Sequence, residues 1–217
     1  MSSRSIVLAM TGASGVVYAV RLLQVLLEAD EHVHLVISPS ASAILKQELG
    51  LEVDVKSFQL STLLAADEEL PRTSLAEVLR PAAARGNTGR VTYHAYDNMN
   101  APIASGSFLT GGMVICPCSG STLGAVVHGI GENLIHRAAA VHLKEHRKLI
   151  LVPRETPLST VQLENMQRAD QAGAVLLPAM PGFYHGVESI RDLVDFVVAR
   201  ICDQLGIDNS LVHRWGT

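Results

Sequence analysis

The chain has 217 residues, 48% of them hydrophobic and 18% charged, with a net charge of −4. That length suits one domain with its own core, and the acidic balance with only 4% aromatic residues excludes a basic, base-stacking nucleic-acid surface. Mean hydropathy of +0.26 is high for a monomer in water, so part of the apolar surplus is expected in contacts between subunits.

Ile6–Met10 reads as a short apolar strand, and the small-residue loop Thr11-Gly12-Ala13-Ser14-Gly15 follows it. The loop breaks the apolar run, and Arg4 is the only basic side chain before it, so a secretory signal is not expected. Val16–Ala29 has helical spacing, with Val20, Leu23 and Leu27 on one face. Val33–Ile37 is a second strand; Ser38 is placed to cap a helix that Pro39 opens and that runs to about Glu48. Strand, helix, strand, helix in this rhythm predicts a parallel sheet.

Residues 51–100 read as a surface excursion with short helices, Pro71, Pro81, the loop Arg85–Gly89 and an edge strand near Val91–Tyr93. Met113–Cys116 returns as a buried strand, then Pro117–Gly120 as a loop and Ser121–His128 as a helix. Glu132–His146 is a helix, Leu149–Val152 a strand, Thr160–Ala172 a helix, Ala174–Leu177 a strand and Val187–Leu205 a closing helix. The expected architecture is a single doubly wound α/β domain over 1–217, flavodoxin-like or Rossmann-like, with a mostly parallel sheet. No run reaches 18 uninterrupted apolar residues, so no membrane span is expected.

Ligands in such sheets bind beyond the carboxyl ends of the strands, at the topological switch point. Four loops qualify: Gly12–Gly15, Ser38–Ser40, Cys118–Thr122 and Arg154–Thr156. Small residues in the first allow close backbone approach, and free N–H groups at the helix start attract an anion. The pattern is G-x-x-G without a Walker lysine, and no acid ends the second strand, which disfavours NAD. In the third loop Ser119, Ser121 and Thr122 crowd hydroxyls at a helix start, which suits a phosphate, although Ser119 also serves as an ordinary cap. Two such loops on one sheet favour a phosphorylated ligand such as a mononucleotide.

His142-Leu143-Lys144-Glu145-His146 spells H-x-x-E-H, which on a helix puts both histidines on one face. Lys144 and Arg147 load that turn with positive charge and no third ligand stands out, so a solvated basic helix is the better reading. Three cysteines, two spaced C-x-C, give neither a disulfide framework nor a redox motif; Cys116 and Cys118 are expected as small buried residues in a reduced, cytoplasmic protein.

The ordered set Thr11–Gly15, Ala104-Ser105-Gly106-Ser107, Cys116–Ser119, Asn133–Ala139, Leu143-Lys144-Glu145, Pro153–Pro157, Pro181–His185 and His213–Gly216 resembles the UbiX-type flavin prenyltransferases, of the wider homo-oligomeric flavin-containing cysteine decarboxylase superfamily. The resemblance implies an enzyme that joins a dimethylallyl group from dimethylallyl phosphate to reduced FMN, first at N5 and then by ring closure. The product is the prenylated FMN used by UbiD-type decarboxylases, as in ubiquinone biosynthesis. It implies no metal and a homododecamer with sites at subunit contacts.

Position by position, the resemblance implies FMN contacts at Gly12, Ala13, Ser14, Ser38, Ser119, Gly120, Ser121, Thr122 and Arg154. It implies prenyl-phosphate contacts at Tyr184 and Arg200, with Lys144 and Arg137 as further cations contributed across a subunit contact. Ser14, Glu48 and Glu155 match polar residues around the reacting groups, so Ser14, Glu48, Lys144, Glu155 and Tyr184 are the expected catalytic set. Just before Ala101-Pro102 the family often has an aromatic residue where this chain has Met99 and Asn100, and His146 stands where the family usually has Arg. Two other functions share the flavin loops: an FMN-dependent cysteine decarboxylase and a non-catalytic FMN carrier. The first lacks its P-x-M-N-x-x-M-W motif here, and the second has no use for a second anion site.

Overall fold

Branched and unbranched apolar residues in short runs, each ended by a small or polar residue, build the sheet. In a computed structural model that describes residues 4–64, 75, 78, 79, 90–214 and 216, β1 (Ser5–Met10), β2 (His32–Ile37), β3 (Val91–His94), β4 (Gly112–Cys118), β5 (Leu149–Pro153) and β6 (Val175–Leu176) form one sheet. Its order is β3-β2-β1-β4-β5-β6 and every pairing is parallel. Of the two expected variants this is the Rossmann order, with its switch point between β1 and β4.

Successive side chains of a strand face opposite ways, and the apolar residues divide accordingly. Ile6, Leu8 and Met10 belong to one core layer; Val7 and Ala9 belong to the other. The first layer is covered by α1 (Val16–Glu28), α2 (Pro39–Leu49), α3 (Leu60–Leu64) and α7 (Ile190–Leu205). The second lies under α4 (Gly120–Val127), α5 (Leu134–Lys144), α6 (Thr160–Gln171) and the 3₁₀ turn Pro102–Ala104. Burial on both faces explains why the strands read as continuous apolar runs rather than alternating ones. A buried ion pair, Arg21 Nε to Asp195 Oδ1 at 2.7 Å, ties α1 to α7.

Several boundaries differ from the sequence reading. β4 runs through Pro117 and Cys118 instead of stopping at Cys116, with a register irregularity between Ile115 and Cys118 that accommodates a proline unable to donate to the ladder. α7 starts at Ile190 rather than Val187, because Ser189 and Asp192 form a capping box there. α5 ends at Lys144, and His146 beyond it has φ +52°, so the H-x-x-E-H histidines do not share a helix face. His142 is 1% exposed, with Nε2 on the Thr110 hydroxyl and Nδ1 on the Ala138 carbonyl at 2.8 Å each. It is a packed core histidine, not part of a solvated basic face.

The edge strand expected near Val91–Tyr93 is β3. Part of the 51–100 segment is core rather than surface: Leu51, Val53, Leu63, Leu64, Val78 and Leu79 are buried, and Gln24 donates to the Leu79 carbonyl at 3.2 Å. Pro71, Pro81, Arg85–Gly89 and Trp215 lie outside the described residues. Among the described residues no helix is long and apolar enough to cross a membrane.

Candidate active site

The four loops chosen from the sequence all lie at the carboxyl end of the parallel sheet, and two flank the switch point. Thr11 pins these two together. Its hydroxyl donates to the Pro117 carbonyl and accepts from the Ser119 N–H, both at 2.8 Å. Gly12 sits so close to the start of α2 that a Cβ there would lie 2.5 Å from Ser40 Cβ, a separation no side chain tolerates. Ala13 and Ser14 continue this strap toward α1.

Ser38 and Ser119 are both helix caps: Ser38 Oγ accepts from Ala41 N–H at 3.1 Å and Ser119 Oγ from Thr122 N–H at 3.3 Å. Ser119 also gathers the Ser121 hydroxyl at 3.1 Å and the Thr122 hydroxyl at 3.0 Å. Three hydroxyls and the first amides of α4, from Gly120 on, thus open on one side of the crevice. Cys116 and Cys118 are buried just below, with burial pushing both thiols up, so neither is poised as a thiolate.

The start of α1 corrects the sequence reading. Its N–H groups are not free for a ligand. Glu48, from the last turn of α2, places Oε2 2.9 Å from Gly15 N–H and 3.2 Å from Val16 N–H, with Oε1 3.2 Å from Gly15 N–H. Gly15, at φ +101°, has no side chain to cap with, and the Glu48 carboxylate takes that role against the helix dipole. The neighbouring Tyr18 phenol is raised by burial first and then by nearby Cys116 and Glu48.

Arg154 and Glu155 follow β5. The Arg154 Nε donates to the Ser14 carbonyl at 3.4 Å, spanning β4 to reach the β1 loop. Glu155 accepts from Thr156 N–H on Oε1 and from Gln162 Nε2 on Oε2, at 3.1 Å each. Gln162 is itself the reciprocal member of a capping box with Ser159. It orients Glu155, a role absent from the sequence reading; only the S-x-x-Q spacing hinted at it.

Tyr184 lies on the loop after β6, exposed, its ring edge-on to Phe196 of α7 at 5.7 Å between centroids. One turn further along α7, Arg200 lines an open cleft of about 320 Å³ formed with Leu176, Leu177, Pro178, Met180 and Phe196. Lys144 is elsewhere. α5 runs back against the strands, so its last residue, Lys144, sits near the amino ends of β4 and β5, about 20 Å from the site loops by strand length. Lys144 pairs with Glu145, directly over Gly106. Arg137 Nε donates to the Ala104 carbonyl at 2.9 Å. Within one protomer the structure therefore brings together Ser14, Glu48, the α4 hydroxyls, Arg154 and Glu155, and leaves Lys144 at the far end of the sheet.

The chain matches the Flavoprotein family across residues 1–202. It is 46% identical over 211 residues to flavin prenyltransferase UbiX of Pseudomonas aeruginosa, covering 97% of this chain and 93% of that protein. The chain belongs to the flavin prenyltransferase family. A crystal structure of AnUbiX (PadA1) in complex with FMN and dimethylallyl pyrophosphate is similar with a TM-score of 0.79 and 37% identity, covering 99% of this chain and 98% of that one. A dodecameric FMN-dependent UbiX-like decarboxylase from Escherichia coli O157:H7 gives a TM-score of 0.78 at 36% identity, over 98% of this chain and 100% of that one.

In this flavin prenyltransferase two residues take structural roles that the sequence reading did not assign them. Thr11 joins the two site loops. Arg147 donates to the Phe108 carbonyl at 2.7 Å and to the Gly106 carbonyl, fixing the loop under Lys144. Met99, noted from the sequence as a departure, is 43% exposed. Among the described residues no three His, Cys, Asp or Glu side chains gather to hold a metal ion.

Proposed function

We propose that this chain transfers a dimethylallyl group from dimethylallyl phosphate to reduced FMN, releasing inorganic phosphate and forming prenylated FMN. The observation that carries the reading is Arg154, which reaches from β5 across the switch point to Ser14 with Glu155 beside it. Those groups stand at the carboxyl ends of the strands, beside the Gly12–Gly15 loop.

The crevice fits FMN. Gly12–Ser14 and Gly120 offer backbone without bulk, and Ser119, Ser121 and Thr122 supply hydroxyl donors for a phosphate. Ser38 and Arg154 flank it. Reduced FMN supplies a nucleophilic N5 and a neighbouring ring carbon for the second bond. The chain's own side chains deal with the departing phosphate. Arg200 can grip it with two parallel N–H groups, and Tyr184 donates a further hydrogen bond. Lys144 and Arg137 add charge from a second protomer; the place of Lys144 at the far end of its own sheet supports this for the lysine. Glu155, oriented by Gln162, delivers a proton to the leaving phosphate. Ser14 and Glu48 position the β1 loop against the reacting groups.

In this reading the whole chain acts as one domain within a homododecamer, in the cytoplasm. Its product passes to a UbiD-type decarboxylase, ubiquinone biosynthesis being one such use. The test is mass spectrometry of the flavin after anaerobic incubation with reduced FMN and dimethylallyl phosphate. A flavin heavier by one prenyl unit is expected. Unchanged FMN bound to folded protein refutes the reading, and carbon dioxide release from a cysteine substrate would replace it with decarboxylation. Glu155→Gln is expected to slow turnover by about 100-fold while changing FMN affinity less than about threefold. Equal losses in both would reduce Glu155 to a structural residue.

A further inference from the structure

Arg200 projects from a helix that runs away from the site loops, and a long guanidinium side chain on such a surface has many rotamers to lose. It is not left to wander. Asp203, one turn on, accepts from Arg200 Nη1 at 2.8 Å. The same carboxylate accepts from Arg214 of the C-terminal tail, with Nη2 at 2.8 Å and Nη1 at 3.3 Å, and from Asn209 Nδ2 at 3.3 Å. Asp203's side chain is 19% exposed, whereas those of Arg200 and Arg214 are 51% and 55% exposed. One shielded acid therefore sits between two arginines, one lining the cleft and one on the tail.

Among the described residues Arg200 is committed through Nη1, and its Nε and Nη2 have no other partner there, which leaves them to face an anion. A phosphate monoester needs two parallel donors of that kind. Arg214 holds the carboxylate through two donors, so the tail fixes the acid that fixes Arg200. We infer that Asp203 is a positioning residue for phosphate binding at Arg200, and that Arg214 makes the C-terminal tail part of the same device. This rests on the reading of Arg200 as a phosphate ligand.

The test is steady-state kinetics of the full-length protein with reduced FMN and varied dimethylallyl phosphate, with FMN affinity measured separately. Asp203→Asn should raise KM for dimethylallyl phosphate about tenfold with kcat within about threefold, and FMN affinity should not move. Arg214→Gln should raise KM about threefold, and Asp203→Glu should restore most of the loss. Because Arg214 acts through Asp203, the double variant D203N/R214Q should match D203N alone. Arg200→Ala is the control. If it leaves KM unchanged, Arg200 is not a phosphate ligand and the underlying reading falls. If it raises KM while D203N and R214Q do not, the inference falls alone. A double variant worse than D203N by the full R214Q factor removes the tail from the device. Should D203N fail to fold, R214Q decides: an unchanged KM overturns the role of the tail and its acid.

Discussion

Three histidines stack on the outer strands of the sheet, and they predict a protein that loses stability in mild acid. His34 is 4% exposed. Its Nδ1 lies 3.0 Å from His94 Nε2, its ring stacks on His32 at 4.7 Å and on His94 at 5.3 Å, and Phe108 meets it edge-on at 5.1 Å. Its Nε2 is buried with no partner among the described residues. A second proton would create a charge out of water, beside two other imidazoles, with an N–H that nothing accepts. Burial first, then His32 and His94, hold its pKa down at about 4 instead of 6.5. A histidine depressed in the folded state takes up protons on unfolding, so stability is full above pH 6.5 and is lost as pH falls toward 4. The shift corresponds to about 3 kcal/mol in total, of which about 2 kcal/mol is lost between pH 7.5 and 5.0. Urea unfolding at fixed protomer concentration at those two pH values measures it. His34→Phe keeps a flat ring without a titrating group. It should be less stable at pH 7.5 but should lose markedly less on acidification, retaining only the share of His94, His136 and His142, which burial also depresses. A wild-type loss under about 0.5 kcal/mol, or a variant that loses as much as wild type, refutes the reasoning.

Gly12→Ala should weaken FMN binding at least about tenfold by fluorescence titration, since the new Cβ must displace Ser40 and with it the start of α2. Glu48→Ala should cost about 1–2 kcal/mol in urea unfolding even without flavin, because α1 loses its capping carboxylate; unchanged stability would show that the cap is dispensable. Mixing subunits of Lys144→Ala with subunits of Arg154→Ala, after dissociation and reassembly, should restore activity to about a quarter of wild type if each site draws these residues from different protomers. No recovery in a reassembled mixture would place both residues in one protomer's site.

Most of the architecture was readable because each strand is a short apolar run ended by a loop of small residues, and because Ser38 before Pro39 announces a helix start; the Ser189 cap went unread, which put the start of α7 at Val187. The switch-point rule then selected the site loops before any side chain was considered. Local pattern was blind where a distant residue decides. Nothing near Gly15 reveals that Glu48 fills the amides of α1, since the carboxylate arrives from another helix. His142 looked like part of a charged surface because its neighbours Lys144, Glu145 and Arg147 are polar; the burial of its ring depends on Thr110, far away in the chain. Asp203 carries no motif at all, and its two arginines lie on different segments.

The separation of Lys144 from the site loops follows from the fold itself. In a parallel sheet every strand points its carboxyl end at the ligand, so a helix that runs straight back to the next strand, as α5 does, points its C-terminus away; α2 differs, its last turn staying beside the α1 start. Helix C-termini attract cations by their dipole, and α5 ends accordingly on Lys144. Such a fold therefore gathers amides, hydroxyls and helix starts at the ligand end, which suit an anion at rest, while its helix-end cations collect about one strand length away. In the reaction proposed above, Arg154 and Arg200 meet the negative charge that develops on the departing phosphate, and further cations would add to that stabilisation. Under that proposal the amino end of a second copy would supply the lysine. There Arg147 fixes the Gly106–Phe108 loop and Glu145 holds Lys144 above it, with Leu109 beside them 77% exposed. An end-to-end meeting of two copies would cover that leucine and deliver the lysine in one contact.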